Sequence, residues 1–113
     1  MSTELVKSQL DLLKILAHPN NKYRKAILAH ADKKLVQAIC ESIQNVLNGN
    51  LEINHNEKEK LKKFRGTLHK LIQKSSLKTK KKILIQRGGF LEYLIPAVIT
   101  GIASIVSSVI GSQ

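Results

Sequence analysis

The 113 residues include one cysteine, two prolines, four aromatic rings and no tryptophan. With Cys40 alone, an internal disulfide framework and a Cys-rich zinc site are excluded, and a reducing compartment fits. There is no Gly-rich phosphate loop, no Gly-x-Ser-x-Gly and no carboxylate pair spaced for acid/base chemistry. His18, His30, His55 and His69 do not stand at metal-ligand spacings from one another, from Cys40 or from paired carboxylates, and read instead as solvated or capping residues. No metal, no cofactor and no enzymatic activity is therefore expected. Met1-Ser2-Thr3-Glu4-Leu5 has neither the basic start nor the short apolar core of a secretory signal, so any targeting is expected elsewhere. The length leaves room for one small core plus an appendage and excludes a large multi-domain enzyme.

Acidic residues are scarce where basic ones are dense. The chain has 19 Lys+Arg against 8 Asp+Glu, a formal charge of +11. Residues 1–57 hold seven basic and six acidic groups, residues 58–87 twelve basic and one acidic, and residues 88–113 only Glu92. The middle block thus supplies the whole net charge, and a block of this density implies a polyanionic partner or an anionic membrane surface.

The apolar residues recur at helical spacing almost throughout, and strands have little support. After Ser2 or Thr3 as N-cap, Leu5, Val6, Leu10, Leu13, Leu16 and Ala17 mark a helix that Pro19 stops. A second, short helix fits Lys22 to about His30, entered through Asn20 or Asn21, with Tyr23, Ala26 and Ile27 as its apolar face. Asp32 caps the best-patterned stretch, where Leu35, Val36, Ile39, Cys40, Ile43, Val46 and Leu47 share a face until Asn48-Gly49-Asn50 ends it. On that face Cys40 reads as a buried small hydrophobe. Asn54 and Glu57 resemble a capping box for a fourth helix over 55–74, with Leu61, Phe64, Leu68, Leu71 and Ile72 inward. Ser76 caps a fifth, from Leu77 to about Gln86, which Gly88 and Gly89 close.

The basic block carries the clearest chemistry. Lys58, Lys60, Lys62, Lys63, Arg65, Lys70, Lys74, Lys78, Lys80, Lys81, Lys82 and Arg87 can neutralise several phosphates at once, each releasing condensed counterions. Base readout favours Arg, Asn and Gln, and single-strand binding favours stacked aromatics. Two arginines and one ring, Phe64, which the spacing assigns to the core, point instead to coating or packaging without sequence preference. A further contact through Lys22, Arg24 and Lys25 at the start of the second helix is compatible with this, though nearby acids weaken it.

Tyr93 to Ile110 contains no charge, slightly short of the ~20 residues of a straight membrane-spanning helix. Ala97, Gly101, Ser104, Ser108 and Gly111 fall on one helical stripe that would let a second helix approach closely, in a bilayer or in an oligomer. Pro96 is expected near the helix start, where its missing N–H is tolerated. After five amphipathic helices little uncovered core is expected to remain for this segment, which favours membrane insertion or self-association over a place in the bundle.

Gln86-Arg87-Gly88-Gly89-Phe90-Leu91, then Leu94-Ile95-Pro96 and Gly101-Ile102-Ala103-Ser104, resemble the precursor of adenovirus core protein X, where a basic DNA-condensing stretch meets an Arg-Gly-Gly and an apolar tail. The chain as a whole is similar to the small core-protein-like products of Polinton (Maverick) elements and adintoviruses. The segments that carry this likeness are Tyr23-Arg24-Lys25-Ala26-Ile27-Leu28, Ala38-Ile39-Cys40, Asn45-Val46-Leu47-Asn48-Gly49-Asn50 and Lys80-Lys81-Lys82-Ile83-Leu84. The resemblance implies a virion core protein that neutralises packaged double-stranded DNA, and a viral cysteine protease that cuts between Gly89 and Phe90. Gln86 departs from the apolar residue such a protease prefers, and the glycine pair reads equally as a helix cap and hinge. Here lysine replaces the arginine of mature core protein X, and a folded module precedes the junction.

The expectation is an all-α chain: a near-neutral helical module at 1–54, a lysine-rich helical pair at 55–87, a Gly-Gly hinge or processing junction at 88–89 and a hydrophobic tail at 90–113. Its expected partners are double-stranded DNA and a viral protease, with an anionic membrane and a second copy of the chain also compatible. Its expected location is the virion core and host nucleus, or a membrane held through residues 93–110.

Overall fold

The computed structural model describes residues 4–49, 51 and 53–111, with side-chain surroundings described as far as Ile102. The described residues form eight α-helices and no strand: α1 Glu4–Ser8, α2 Leu10–Leu16, α3 Asn21–Ala29, α4 Lys33–Leu47, α5 His55–Lys62, α6 Arg65–Ile72, α7 Leu77–Arg87 and α8 Leu91–Gly111. The chain is an all-α bundle, and short polar side chains start α3, α4, α5 and α7. Asn20 Oδ1 accepts from Lys22 N at 2.9 Å, Asp32 Oδ1 from Leu35 N at 2.9 Å, Asn54 Oδ1 from Glu57 N at 2.8 Å and Ser76 Oγ from Thr79 N at 3.2 Å. Each satisfies a backbone donor that has no partner within its helix. The cap expected at Ser2 or Thr3 lies outside the described residues. At the far end of α4, Gly49 takes φ 72°, a left-handed conformation that a Cβ would disfavour.

Two of the expected helices are broken once each. The first kinks at Gln9, whose N–H is shared between Leu5 O and Val6 O at 3.2 Å each. The helix expected over 55–74 tightens at Lys63 and Phe64, where Phe64 N donates to Leu61 O at 3.0 Å. In both places the chain stays helical enough to keep its apolar row inward.

The face of α3 differs from expectation. Tyr23 and Ala26 are exposed, and the buried residues are Arg24 and Leu28, with Ile27 half-buried. Burying Leu28 among the core side chains fixes the helix's rotation and carries Arg24 inward with it, because residues four apart share a face.

The larger corrections concern the C-terminal third. α7 ends at Arg87 with Gly88 as its C-cap, as expected, but Gly88, Gly89 and Phe90 then form a 3₁₀ turn that leads straight into α8. Pro96 consequently lies inside a helix and not at its start. Nor is the apolar tail left over once the other helices have packed. Phe90, Leu91, Leu94, Ile95 and Val98 are buried in one cluster with Leu13, Leu16, Leu35, Ile39, Leu61 and Leu84. The first five helical stretches are short, so their stripes enclose a space that only a further apolar helix fills. α8 packs against α2, α4 and α5. Of the expected small-residue stripe, Ala97 and Gly101 face the bundle, whereas Ser104, Ser108 and Gly111 lie beyond the residues whose surroundings are described.

Candidate nucleic-acid interface

Ten of the twelve cations between Lys58 and Arg87 are exposed, and Lys80 and Lys81 are half-buried. Leu61 holds α5 to the core, Leu68 and Leu71 hold α6 and Leu84 holds α7, and the cations occupy much of the remaining circumference. Four of the twelve have partners inside the molecule. Lys62 Nζ donates to Glu59 Oε1 at 2.9 Å, and this bond and charge hold the Glu59 carboxyl below its usual range. Lys60 Nζ stands 5.4 Å from the centre of the Tyr93 ring. Lys81 Nζ donates to Ala29 O at 3.2 Å, a cation on the carbonyl end of α3. Lys80 Nζ lies 3.9 Å from Cys40 Sγ.

The other eight are Lys58, Lys63, Arg65, Lys70, Lys74, Lys78, Lys82 and Arg87. No hydrogen bond, ion pair or ring contact engages them among the described residues. Lys70, Lys74, Lys78 and Lys82 follow one another at intervals of four through the end of α6, the turn at 73–76 and the start of α7. Lys58, Lys62 and Arg65 instead edge a groove of about 980 Å³ between the end of α4 and the α5–α6 pair. The groove floor is apolar, lined by Leu51, Ile53, Leu61, Leu68 and Ile72, with the exposed Leu47 at its mouth, and His69 shares the basic edge.

Arg24 does not take part in this surface. It is buried, Nη1 lies 3.6 Å from Glu92 Oε1, and Nη2 donates to Asn21 Oδ1 at 3.0 Å. The contact expected through Lys22, Arg24 and Lys25 is thereby reduced to the two exposed lysines. The signal for this pair was Glu92 itself, the lone carboxylate of an apolar segment.

At the junction Gly88 and Phe90 are buried, whereas Gly89 is half-buried and a Cβ there would meet open space. Gly88 is buried against Arg24, so that a Cβ there would stand 3.3 Å from Arg24 Cδ and Nε. Phe90 is wholly buried, and its ring centre is 6.3 Å from that of Phe64, which lies 6.0 Å from the Tyr93 ring. Phe64 is therefore a half-buried packing residue, with its ring engaged by other rings rather than open to a base. Cys40 is buried too; burial pushes its thiol pKa upward, and Lys80 only partly offsets this. A protonated, enclosed thiol is a poor nucleophile. His18 acts locally, Nδ1 accepting from Asn20 N at 2.9 Å just ahead of α3.

No protein-family model, curated protein or solved structure matches the chain.

Proposed function

We propose that this protein binds double-stranded DNA without sequence preference and condenses it, as a virion core protein of a virus or Polinton-type element. The observation that supports this reading most is the set of eight exposed cations with no partner among the described residues, spread along 58–87, a stretch in which Glu59 is the one carboxylate. Lysine suits the task, since its mobile ammonium neutralises phosphates as a point charge and imposes no register. Residence in the virion core and the host nucleus belongs to the same reading. Cleavage after Gly89 belongs to it as well, with a physical condition attached. A protease cleft takes extended chain, so the 3₁₀ turn must unwind and Phe90 must leave the core before the bond can be cut.

The test uses the whole chain, because Leu91, Leu94 and Ile95 are core residues. Titration against two unrelated duplexes should give equal affinities that fall with salt at a log–log slope of about −0.9 per phosphate neutralised. Absence of binding in dilute buffer would eliminate the proposal.

A second reading is supported by one stretch, Leu77–Ile102, which is long and apolar enough to cross a membrane by length and composition. In this reading the lysines meet anionic headgroups at about 1 kcal/mol each, and α8 leaves the bundle for the bilayer. Within the bundle 44% of the most apolar part of that stretch is buried, so insertion must first undo core packing. Dye release from anionic vesicles, absent with neutral ones, is the outcome this reading requires.

A further inference from the structure

The groove between the end of α4 and the α5–α6 pair combines two properties that duplex DNA does not use together. Its edge is cationic and its floor is aliphatic. Phosphates would satisfy Lys58, Lys62 and Arg65 but leave the floor facing water, and among the described residues no Phe, Tyr or Trp ring lines the groove for a base to stack on. Its preferred occupant has both negative charge and an apolar face. No acidic residue lines it among the described residues. The edge residues Lys58, Lys62, Arg65 and His69 succeed one another at steps of four, three and four, which is the spacing of one row along a helix. The row passes from α5 to α6 across the turn at 63–64, with two basic edge positions four residues apart on each helix. Leu47, 37% exposed, stands at the mouth with its side chain open to a partner.

We infer that this groove docks an amphipathic helix of a protein partner, whose leucine-like face meets the floor and whose carboxylates meet Lys58 and Arg65. This is the helix-in-groove mode of recognition, with apolar anchors at three- and four-residue steps and charge along one flank. Lys62 would exchange Glu59 for a carboxylate of the incoming helix. The inference goes beyond nucleic-acid binding, and it does not depend on Lys70, Lys74, Lys78 or Lys82.

The probe is a fluorescein-labelled synthetic peptide of about 14 residues, leucine on one helical face and glutamate on its flank. Its control is a peptide of the same composition, scrambled to remove the apolar face. Fluorescence anisotropy with the full chain should show the patterned peptide binding about tenfold tighter than the scrambled one. Leu47→Gln should weaken it about fivefold by removing apolar surface from the groove mouth, with circular dichroism and duplex-DNA affinity unchanged. Ile53→Gln is a second, independent variant with the same expected result, should the first perturb the end of α4. Equal binding of the two peptides would reduce the effect to charge alone and overturn the proposal, as would insensitivity to both variants. Sedimentation showing a self-association that Leu47→Gln abolishes would assign the groove to a second copy and overturn it too. Loss of DNA binding with peptide binding intact would sink only the reading under Proposed function.

Discussion

At Gly101 the backbone of α8 passes so near Leu51 that an added Cβ would lie 2.8 Å from the Leu51 Cβ. Gly101→Ala should therefore destabilise the fold by about 1–3 kcal/mol through overpacking, measured by urea unfolding. Combined with Leu51→Ala, the cost should fall below the sum of the two single changes. Arg24 permits a sharper comparison. Its side chain is 9% exposed and that of Glu92 is 32% exposed, so the two do not lose water equally. Glu92→Gln leaves a buried guanidinium without its counter-charge and should cost about 2 kcal/mol, whereas Arg24→Met leaves a carboxylate that water still reaches and should cost less. The opposite order would mean that Arg24 serves by packing its stem rather than by charge. For Cys40 the raised pKa means that thiolate is scarce at neutral pH and grows as pH rises. Iodoacetamide should modify the native chain far more slowly than the urea-unfolded chain at a pH of about 7.5, with the native rate climbing in alkali.

Among the elements, α8 governs how the rest behaves. It supplies Leu91, Leu94, Ile95 and Val98 to the common core, so a chain ending at Gly89 should lose its cooperative unfolding transition, a loss visible by circular dichroism on heating. For the same reason cleavage at Gly89–Phe90 should be slow in the native protein and accelerate in mild denaturant, because the bond becomes available only when the local helix opens. A fast cut in native buffer would show that the turn at 88–90 opens without the core. The start signals of these elements were legible in the sequence, since Asn20, Asp32, Asn54 and Ser76 are short acceptors standing just ahead of apolar periodicity. The Gly-Gly pair was legible as the end of α7, which Gly88 caps, but not as a turn of continuing helix. Glycine permits a break but does not compel one, and buried Phe90 and Leu91 hold the chain helical across it.

At the scale of the whole molecule, most of the charge lies apart from the core, with Arg24 the buried exception. Leu61, Leu68, Leu71 and Leu84 hold α5, α6 and α7 inward, and the cations lie on what remains outside. If DNA is the partner, replacing Lys70, Lys74, Lys78 and Lys82 together by glutamine should weaken binding to all sequences alike. The log–log salt slope should become shallower by about 0.9 for each phosphate that is no longer neutralised, with stability little changed. A change confined to one DNA sequence would contradict binding through phosphates alone.

The helical class, the capping residues and the concentration of positive charge in residues 58–87 were all readable from the sequence, because each depends on neighbours within a turn or two of the chain. What the apolar C-terminal segment packs against could not be read that way. A run of Ile, Val and Leu satisfies a bilayer and a protein core equally, and only the space left between the shorter helices decides that Leu91 to Gly101 belongs inside. The inward turn of Arg24 and the groove beside α4 have the same origin. Both arise where helices distant in the chain meet, and hydrophobic burial selects that meeting by the shape of the whole.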